Sequence, residues 1–150
     1  MGSIMGAKKF QLLFRRAASL DVDKSDLKRL TTFLNHKLHD LITVAEAAAK
    51  ENGRDIILPH DLPITQGLEN SMHEFKSFEI ELELSPILEQ LATMEPHELE
   101  CAEETNARMP YFIGGLTISL AKTFKVLDPQ LKNPREEHWE SVFEIFDMLL

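Results

Sequence analysis

Histidine and cysteine are the residues of this chain whose spacing comes closest to that of reactive groups. His97 and Cys101 are four residues apart and could be drawn, on a helix, as a base and a nucleophile. The sequence around them offers no group that would orient the base and no oxyanion site. His36 and His39, three residues apart, could face the same way, but two histidines without a third converging ligand do not make a metal site. We interpret these residues as structural.

An acidic segment near the N-terminus contains the start of a calcium-binding pattern, D-x-D-x-S, at Asp21, Asp23 and Ser25. The position that such a loop reserves for glycine holds Asp26, and no glutamate closes the loop. Helix capping is the better interpretation, because an aspartate oxygen accepts hydrogen bonds from the free amides of a first helical turn. We predict that Asp23 caps a helix beginning at Lys24.

The short motifs that bind phosphate or activate a nucleophile are missing from the sequence. It has no phosphate-binding glycine loop, no CxxC, no HExxH and no GxSxG. We therefore expect a protein that is not an enzyme, with no cofactor, no metal and no small-molecule substrate.

Length and composition are those of one compact domain. The 150 residues are 43% hydrophobic and 27% charged, as in an ordinary globular protein. Cys101 is the single cysteine, so an internal disulfide is excluded, and a cytoplasmic location is expected. No apolar run approaches the ~20 residues of a membrane helix. Residues 1–7 lack the apolar core of a signal peptide and are expected to be a flexible N-terminus.

Charge is distributed unevenly along the chain. Residues 1–65 hold 10 lysines and arginines against 8 acidic residues, a net charge of +2. Residues 66–150 hold 6 against 17, a net charge of −11, which gives −9 for the whole chain. A protein that wraps duplex DNA should be basic over its contact surface. The acidic second half therefore weighs against that function.

The elements that position these residues begin with one long helix. Apolar residues recur three and four apart and share one helical side: Leu27, Leu30, Leu34, Leu38, Leu41, Ala45 and Ala48. Gly53 is placed to end the helix, because glycine adopts the left-handed conformation without a Cβ penalty. Some 28 residues at ~1.5 Å each give a rod of roughly 42 Å. Another long element must cross such a rod to bury its apolar side.

The other predicted elements are helices and one connector. A short helix spans residues 8–18, a further helix starts around residues 59–61 and reaches residue 78, and FEIELEL (78–84) alternates apolar and acidic residues. That alternation is a strand pattern, but among helices we interpret residues 79–85 as an acidic extended connector. A short helix (86–92), a long one ending before Asp128 and a last one after Asn133-Pro134 follow. Pro110 and the pair Gly114-Gly115 indicate either a kink or close packing of another backbone in the long helix.

The stretch AAAKENGRDIILPHDL, at the end of the long predicted helix, has an alanine-rich end, a Gly-Arg pair and an acidic-apolar restart. It resembles the end of the central helix, the second loop and the start of the third helix of histone folds, above all those of archaeal histones. Arg54 and Asp61, seven residues apart, match the loop arginine and third-helix aspartate of that family. The resemblance implies that they form a salt bridge, a structural clamp between loop and helix.

The order of short helix, long helix and helix occurs twice, in residues 8–78 and 86–150. This order is similar to that of bacterial single-chain proteins with two tandem histone folds, a family without an assigned function. The segments DVDKSDLKRL, NGRDIILPHDLPIT and LKNPREEHWE resemble it specifically. The resemblance implies an all-α protein in which a first histone-fold half (8–78) and a second, degenerate half (86–150) pack as an intramolecular pseudo-dimer.

DNA contact is the first function that a histone resemblance implies. The candidate residues are Arg15, Arg16, Lys24, Lys28, Arg29 and Arg54. The match reverses sign at two contact positions, since Asp21 stands where the archaeal family has an arginine and Asp55 where it has a lysine. Ile56 replaces a loop threonine, and Asp128-Pro129-Gln130 replaces the second Gly-Arg loop. A solvated basic face is an equally good interpretation of the cations.

We expect a non-catalytic binding or assembly module acting through an unknown protein partner or through self-association. The alternative is a nucleoid-associated, histone-like DNA-binding protein. Both belong in a bacterial cytoplasm, and neither requires a membrane.

Overall fold

The computed structural model describes residues 7–150, and the predicted flexible N-terminus, except for Ala7, lies outside the described residues. The helices are α1 (Ala7–Ala18), α2 (Lys24–Glu51), α3 (Gln66–Phe78), α4 (Ser85–Leu91), α5 (Glu103–Asn106), α6 (Met109–Leu127) and α7 (Glu136–Leu149). A 3-10 turn spans Pro59–Asp61, and two short strands are β1 (Ile56–Ile57) and β2 (Glu100–Cys101). The prediction of an all-α protein is confirmed.

Helix α2 begins and ends where the sequence indicates. The Asp23 carboxylate accepts from the Asp26 amide at 2.8 Å, and the Asp26 carboxylate accepts from the Asp23 amide at 2.9 Å. This reciprocal pair satisfies two amides that the first turn leaves free. At the other end Gly53 has φ +72°, in the left-handed region that glycine adopts at low cost.

Two predictions about helix starts are wrong. The third helix begins at Gln66, not around residues 59–61, because Pro63 forces Leu62 into an extended conformation (ψ 127°) and separates the 3-10 turn from α3. In the second half, the short helix α5 precedes the long helix α6, which ends before Asp128 as predicted. The last helix begins at Glu136, after Asn133-Pro134 as predicted, but the cap that we also expected from Asn133 is not formed. Arg135 precedes the helix instead, and its amide donates to His138 Nδ1 at 2.9 Å.

The close-packing interpretation of the glycine pair is the one that the structure supports. Pro110 lies in the first turn of α6, where its missing amide costs nothing. A Cβ on Gly115 would lie 2.9 Å from the backbone nitrogen of Met72, and one on Gly114 would overlap the Phe75 ring. Neither position has room for a side chain, so α3 and α6 approach each other only because both residues are glycine.

The helices of residues 8–78 and 86–150 interleave. Helix α6 packs against α1 and α3, and α2 packs against α4. Helix α7 also reaches α2, where the Phe33 and Phe143 rings stack with centroids 4.5 Å apart. Each long helix is therefore covered mainly by shorter helices from the other part of the chain. Within residues 7–150, none of the helices combines the length and apolarity needed to cross a membrane.

Two loop pairs join the halves at separate places. Strands β1 and β2 are parallel, with Ile56 opposite Glu100 and Ile57 opposite Cys101. The buried Thr105 hydroxyl adds a hydrogen bond to the Ile57 carbonyl at 2.7 Å. In the other loop pair, the Asp21 amide donates to the Lys132 carbonyl at 2.7 Å. Each pair joins a loop near the long helix of one half to a loop of the other half.

Residues 1–78, expressed alone, are expected not to form a stable monomer. They keep α2 but lose α6, so Met72, Phe75 and the apolar side of α1 become exposed, which a soluble monomer rarely tolerates. Thermal unfolding followed by circular dichroism, together with sedimentation, should show aggregation or self-association. A monomer with a cooperative transition would contradict the dependence of each half on the other.

Candidate functional site

The loop after α2 is held by a bidentate ion pair between Arg54 and Asp61. Arg54 Nη1 donates to Asp61 Oδ2 at 2.7 Å, and Nη2 donates to Oδ1 at 2.8 Å. The Leu58 amide donates to the same Oδ2 at 2.8 Å, and Arg54 Nη1 also reaches the Ile56 carbonyl at 3.3 Å. The pair thus ties the end of α2, strand β1 and the 3-10 turn together.

The Asp61 carboxylate is the buried partner of this pair. Its side chain is 2% exposed, while that of Arg54 is 24% exposed. Hydrogen bonds from the guanidinium are the main reason that the pKa of Asp61 is lowered from 3.8 to about 2. The carboxylate is therefore ionised at neutral pH, and its lone pairs are occupied by the loop that it organises.

A second buried carboxylate, which sequence reasoning missed, links the two ends of the chain. Trp139 Nε1 in α7 donates to Asp26 Oδ1 at 2.8 Å. Burial raises the pKa of Asp26, opposing hydrogen bonds from the Asp23 amide and the Trp139 indole that lower it. The capping pattern identifies Asp26 as a first-turn acceptor, but a contact across 113 residues has no local signal.

The structure brings His39 and His97 together, whereas the sequence spacing had paired His97 with Cys101 and His36 with His39. The His39 ring lies 4.5 Å from the His97 ring, and His97 Nε2 is 2.8 Å from the Thr43 hydroxyl. His39 Nε2 is 2.7 Å from the Glu95 carbonyl, whereas His36 is exposed elsewhere on α2. These contacts fasten the loop after α4 to the long helix.

Cys101 takes no part in that histidine cluster. It lies in β2, and burial raises the pKa of its thiol, which lowers the thiolate fraction that a nucleophile needs. Across residues 7–150, no three His, Cys, Asp or Glu side chains converge as metal ligands. The arrangement can hold a loop in place, and it offers no nucleophile activated by a base.

Most of the candidate DNA-contacting cations have partners within the protein. Arg15 pairs with Asp21 at 3.1 Å, and Arg29 Nη2 is 3.5 Å from Glu136. The Arg16 guanidinium lies 4.4 Å from the centre of the Phe78 ring, and its Nη1 donates to the Phe78 carbonyl.

Arg54 is held by Asp61, so two of the six candidate cations are left. Lys24 and Lys28 are exposed and have no ion pair within the described part of the chain. They are therefore the cations most available to an external anion.

Apolar side chains reach the surface where the C-terminus crosses α2 and α3. Val44, Leu149 and Leu150 are 51%, 76% and 43% exposed, and we call this surface the C-terminal face. All three residues border a cavity of about 250 Å³ beside Leu68 of α3. Leu149 and Leu150 also border a second cavity of about 270 Å³ between α6 and α7. The face therefore combines protruding apolar groups with adjacent depressions.

Comparisons with known proteins identify relatives over nearly the whole chain. The family described as a domain of unknown function, DUF1931, matches residues 10–147. An uncharacterised protein of Aquifex aeolicus (strain VF5) is 29% identical over 142 residues, which are 95% of this chain and 82% of that protein. A second uncharacterised protein of the same organism is 27% identical over 139 residues, 87% of this chain and 81% of its own length.

Two solved structures share the fold. A protein from Thermus thermophilus, whose crystal structure is known, is 48% identical in sequence to this chain. The two structures have a TM-score of 0.94, and the match covers 98% of this chain and 99% of that one. The 1.9 Å crystal structure of an Aquifex aeolicus protein is 28% identical, with a TM-score of 0.80 over 98% and 97% of the two chains. The arrangement of helices is therefore common to bacterial relatives.

Substitution of either partner of the ion pair should destabilise the protein. Leaving a buried acceptor without its donor costs about 1–3 kcal/mol, so Arg54→Ala should lower the free energy of unfolding by that order. When one partner has been removed, removing the other breaks no further ion pair. The effects of Arg54→Ala and Asp61→Ala on the free energy of unfolding should therefore be strongly non-additive. Urea unfolding of the two single variants and the double variant measures the coupling.

The exposed pair of Arg15 and Asp21 provides a matched control for this cycle. Its side chains are 67% and 58% exposed, so its coupling should be about 0–1 kcal/mol. Because the folded-state pKa of Asp61 is lowered, the ion pair's contribution to the free energy of unfolding is present above pH ~4 and is lost as the pH falls towards 2. Additive effects at neutral pH, or a coupling no larger than that of the control, would contradict the clamp.

Proposed function

We propose that this chain, which belongs to the DUF1931 family of unknown function, is a non-catalytic binding and assembly module built from two histone folds. The first fold comprises α1, α2 and α3, and the second comprises α4, the α5–α6 pair and α7. Each contains a long helix between shorter ones, and each long helix is covered by helices of the other fold. An intramolecular pseudo-dimer accounts for this interleaving, because the chain supplies both partners itself.

The two loop pairs support the same proposal. In a pseudo-dimer with two-fold symmetry, a contact between the second loop of one fold and the first loop of the other must occur twice. The β1–β2 pairing joins the second loop of the first fold to the first loop of the second, and the Asp21–Lys132 hydrogen bond joins the remaining two. The Arg54–Asp61 pair holds one of these loops.

The structural contacts of the candidate reactive side chains support a module that binds without catalysis. His97 contacts Thr43 and His39, while the Cys101 thiol has a raised pKa. The buried carboxylates are engaged in capping and in the ion pair. The side chains singled out as reactive on sequence grounds thus serve to hold loops and helix ends.

The C-terminal face is the observation that carries the assembly proposal. Large apolar side chains that protrude beside cavities are typical of protein contact surfaces, where they fill depressions in a partner. Lys37 and Asp147, 2.8 Å apart, provide polar groups near the apolar centre. A protein partner, either a second copy of the chain or another protein, is the occupant that suits this surface.

Leu149→Lys is expected to abolish association through this face, because a charge at its centre would have to be desolvated on binding. Sedimentation over a range of protein concentrations measures self-association. Capture from a lysate of the native host, with tagged protein, measures association with other proteins. Both should be lost in the variant while its thermal unfolding remains that of the unmodified protein.

Val126→Lys is the matched control for this experiment. Val126 is 79% exposed near the end of α6 and lines neither of the two cavities of the C-terminal face. Equal association of the two variants, or a protein that is monomeric and captures nothing, would overturn the assembly proposal.

DNA binding is the second candidate, and one loop pair favours it. The Asp21–Lys132 hydrogen bond brings the loop carrying Lys132 beside the start of α2, where Lys24 and Lys28 are exposed. Asp55, Glu98 and Glu100 surround the other loop pair, so the basic surface does not continue across both. A contact confined to one end of the molecule neutralises few phosphates.

Duplex DNA is expected to bind weakly, at or below the weak end of the roughly 10⁻⁴–10⁻⁶ M range of non-specific binders. A titration of labelled duplex between about 50 and 200 mM salt measures affinity and the number of phosphates neutralised. Lys24→Ala with Lys28→Ala should reduce residual binding more than Arg15→Ala with Arg16→Ala, whose side chains already have internal partners. Sub-micromolar binding near 150 mM salt, with a slope implying about six phosphates, would make the nucleoid function the better proposal.

A further inference from the structure

A small polar cavity lies between α3 and the start of α6, apart from the C-terminal face. Its volume is about 180 Å³, and its lining residues are Glu69, Met72, His73, Lys76, Arg108 and Tyr111. The close approach of Gly115 to Met72 brings the two helices together at this point. Side chains from α3 and from the first turn of α6 therefore face one another across the cavity.

The two cations of this cavity, like Lys24 and Lys28 of α2, are not engaged in ion pairs within the described part of the chain. Lys37, Lys50, Lys122, Arg15, Arg29 and Arg54 each form an ion pair with a carboxylate. Lys76 and Arg108 form none within residues 7–150, although the chain carries a net charge of −9. Glu69 borders the same cavity, but it is not within 4.0 Å of either cation. Two exposed cations therefore border the same cavity, and neither is paired with its one carboxylate.

The aromatic wall of the cavity positions one of these charges. Lys76 Nζ lies 4.9 Å from the centre of the Tyr111 ring, and Phe75 packs edge-on against the same ring at 6.1 Å. A cation held over an aromatic face is stabilised by the ring quadrupole but keeps its hydrogen-bond donors. Arg108 precedes α6 and makes no side-chain hydrogen bond that caps the helix. The Lys76 ammonium and the Arg108 guanidinium therefore both have N–H donors that can bind a ligand.

We propose that this cavity binds a phosphate monoester. The Arg108 guanidinium presents a planar fork of donors that suits two oxygens of a phosphoryl group, and Lys76 supplies a point charge at the side. His73 of α3 and Tyr111 of α6 also line the cavity, and an imidazole and a phenol hydroxyl are both able to donate. Met72 and the Tyr111 ring provide the apolar surface for the group attached to the phosphate. Inorganic phosphate shares the charged part of this chemistry but not the apolar part.

The site is independent of the proposed assembly function and can be tested directly in the full-length protein. Tyr111 is the single tyrosine of the chain, so its ring resonances are assigned without further substitution. Titration with adenosine monophosphate, followed by proton–carbon NMR of that ring, is expected to give a saturable shift. Inorganic phosphate should give a weaker saturable shift, and adenosine, which lacks the phosphoryl group, should give none.

Substitutions at the cavity should change the affinity in opposite directions. Arg108→Ala and Lys76→Ala should each weaken binding by about tenfold or more, since each removes a charge-assisted hydrogen bond. Glu69→Gln removes the one carboxylate of the cavity and should strengthen binding, which a merely unfolded variant could not do. Lys122→Ala is the matched control, because Lys122 also lies between α3 and α6 but is paired with Glu74.

Three results would overturn the proposal of a phosphate-monoester site, and the first two concern any phosphate site here. The first is the absence of a saturable shift at Tyr111 with either phosphate probe. The second is an equal loss of affinity in Lys122→Ala and in the two cavity variants, which would indicate a response to overall charge. A site for inorganic phosphate alone, equally tight with and without the nucleoside, would overturn the monoester assignment.

Discussion

The structure depends on burial of the apolar sides of two long helices, α2 and α6, which neither half of the chain covers by itself. In α2 the buried residues follow one stripe from Leu27 to Ala49, as expected for a helix with one solvated side. In α6 every residue from Phe112 to Ile118 is buried. A helix that is apolar all round requires cover on several sides, and α1, α3 and α7 provide it. The interleaving of the halves follows from this requirement.

The close approach of α3 to α6 shows how the sequence provides cover for the apolar helix α6. It also shows how much of the packing can be predicted from the sequence alone. The pair Gly114-Gly115 indicated either a kink or close packing, and the sequence could not decide between them. The choice depends on Met72 and Phe75, more than 35 residues earlier, whose backbone and ring occupy the space of the missing side chains. Periodicity, Gly53 and the Arg54–Asp61 spacing are local signals, and they predicted α2 and the loop that follows it. The predicted start of α3 was wrong because Pro63 forces the preceding residue, Leu62, into an extended conformation. The periodicity of apolar residues contains no information about that effect.

The charges of the chain are arranged by the same packing. One loop pair places Asp21 beside the chain around Lys132, near exposed lysines of α2, and the other lies among Asp55, Glu98 and Glu100. The net charges of +2 and −11 along the sequence do not map onto the two ends of the molecule, because the fold brings residues of both halves together at each end. Arg29 of the first half, for example, is paired with Glu136 of the second.

The position of that face is fixed at a distance by the hydrogen bond between Trp139 and Asp26. Helix α7 carries Trp139 in its first turn and Leu149 as its last residue, so the helix is anchored at the end opposite to the exposed leucine. The Trp139 ring is fully buried and packs edge-on against Phe124 of α6 at 4.8 Å. Asp26 is simultaneously the third residue of α2 and part of its capping box. The Asp26 carboxylate therefore takes part both in capping α2 and in anchoring α7. The position of the C-terminal face, which includes Leu149 at the end of α7, depends on this contact at the start of α2.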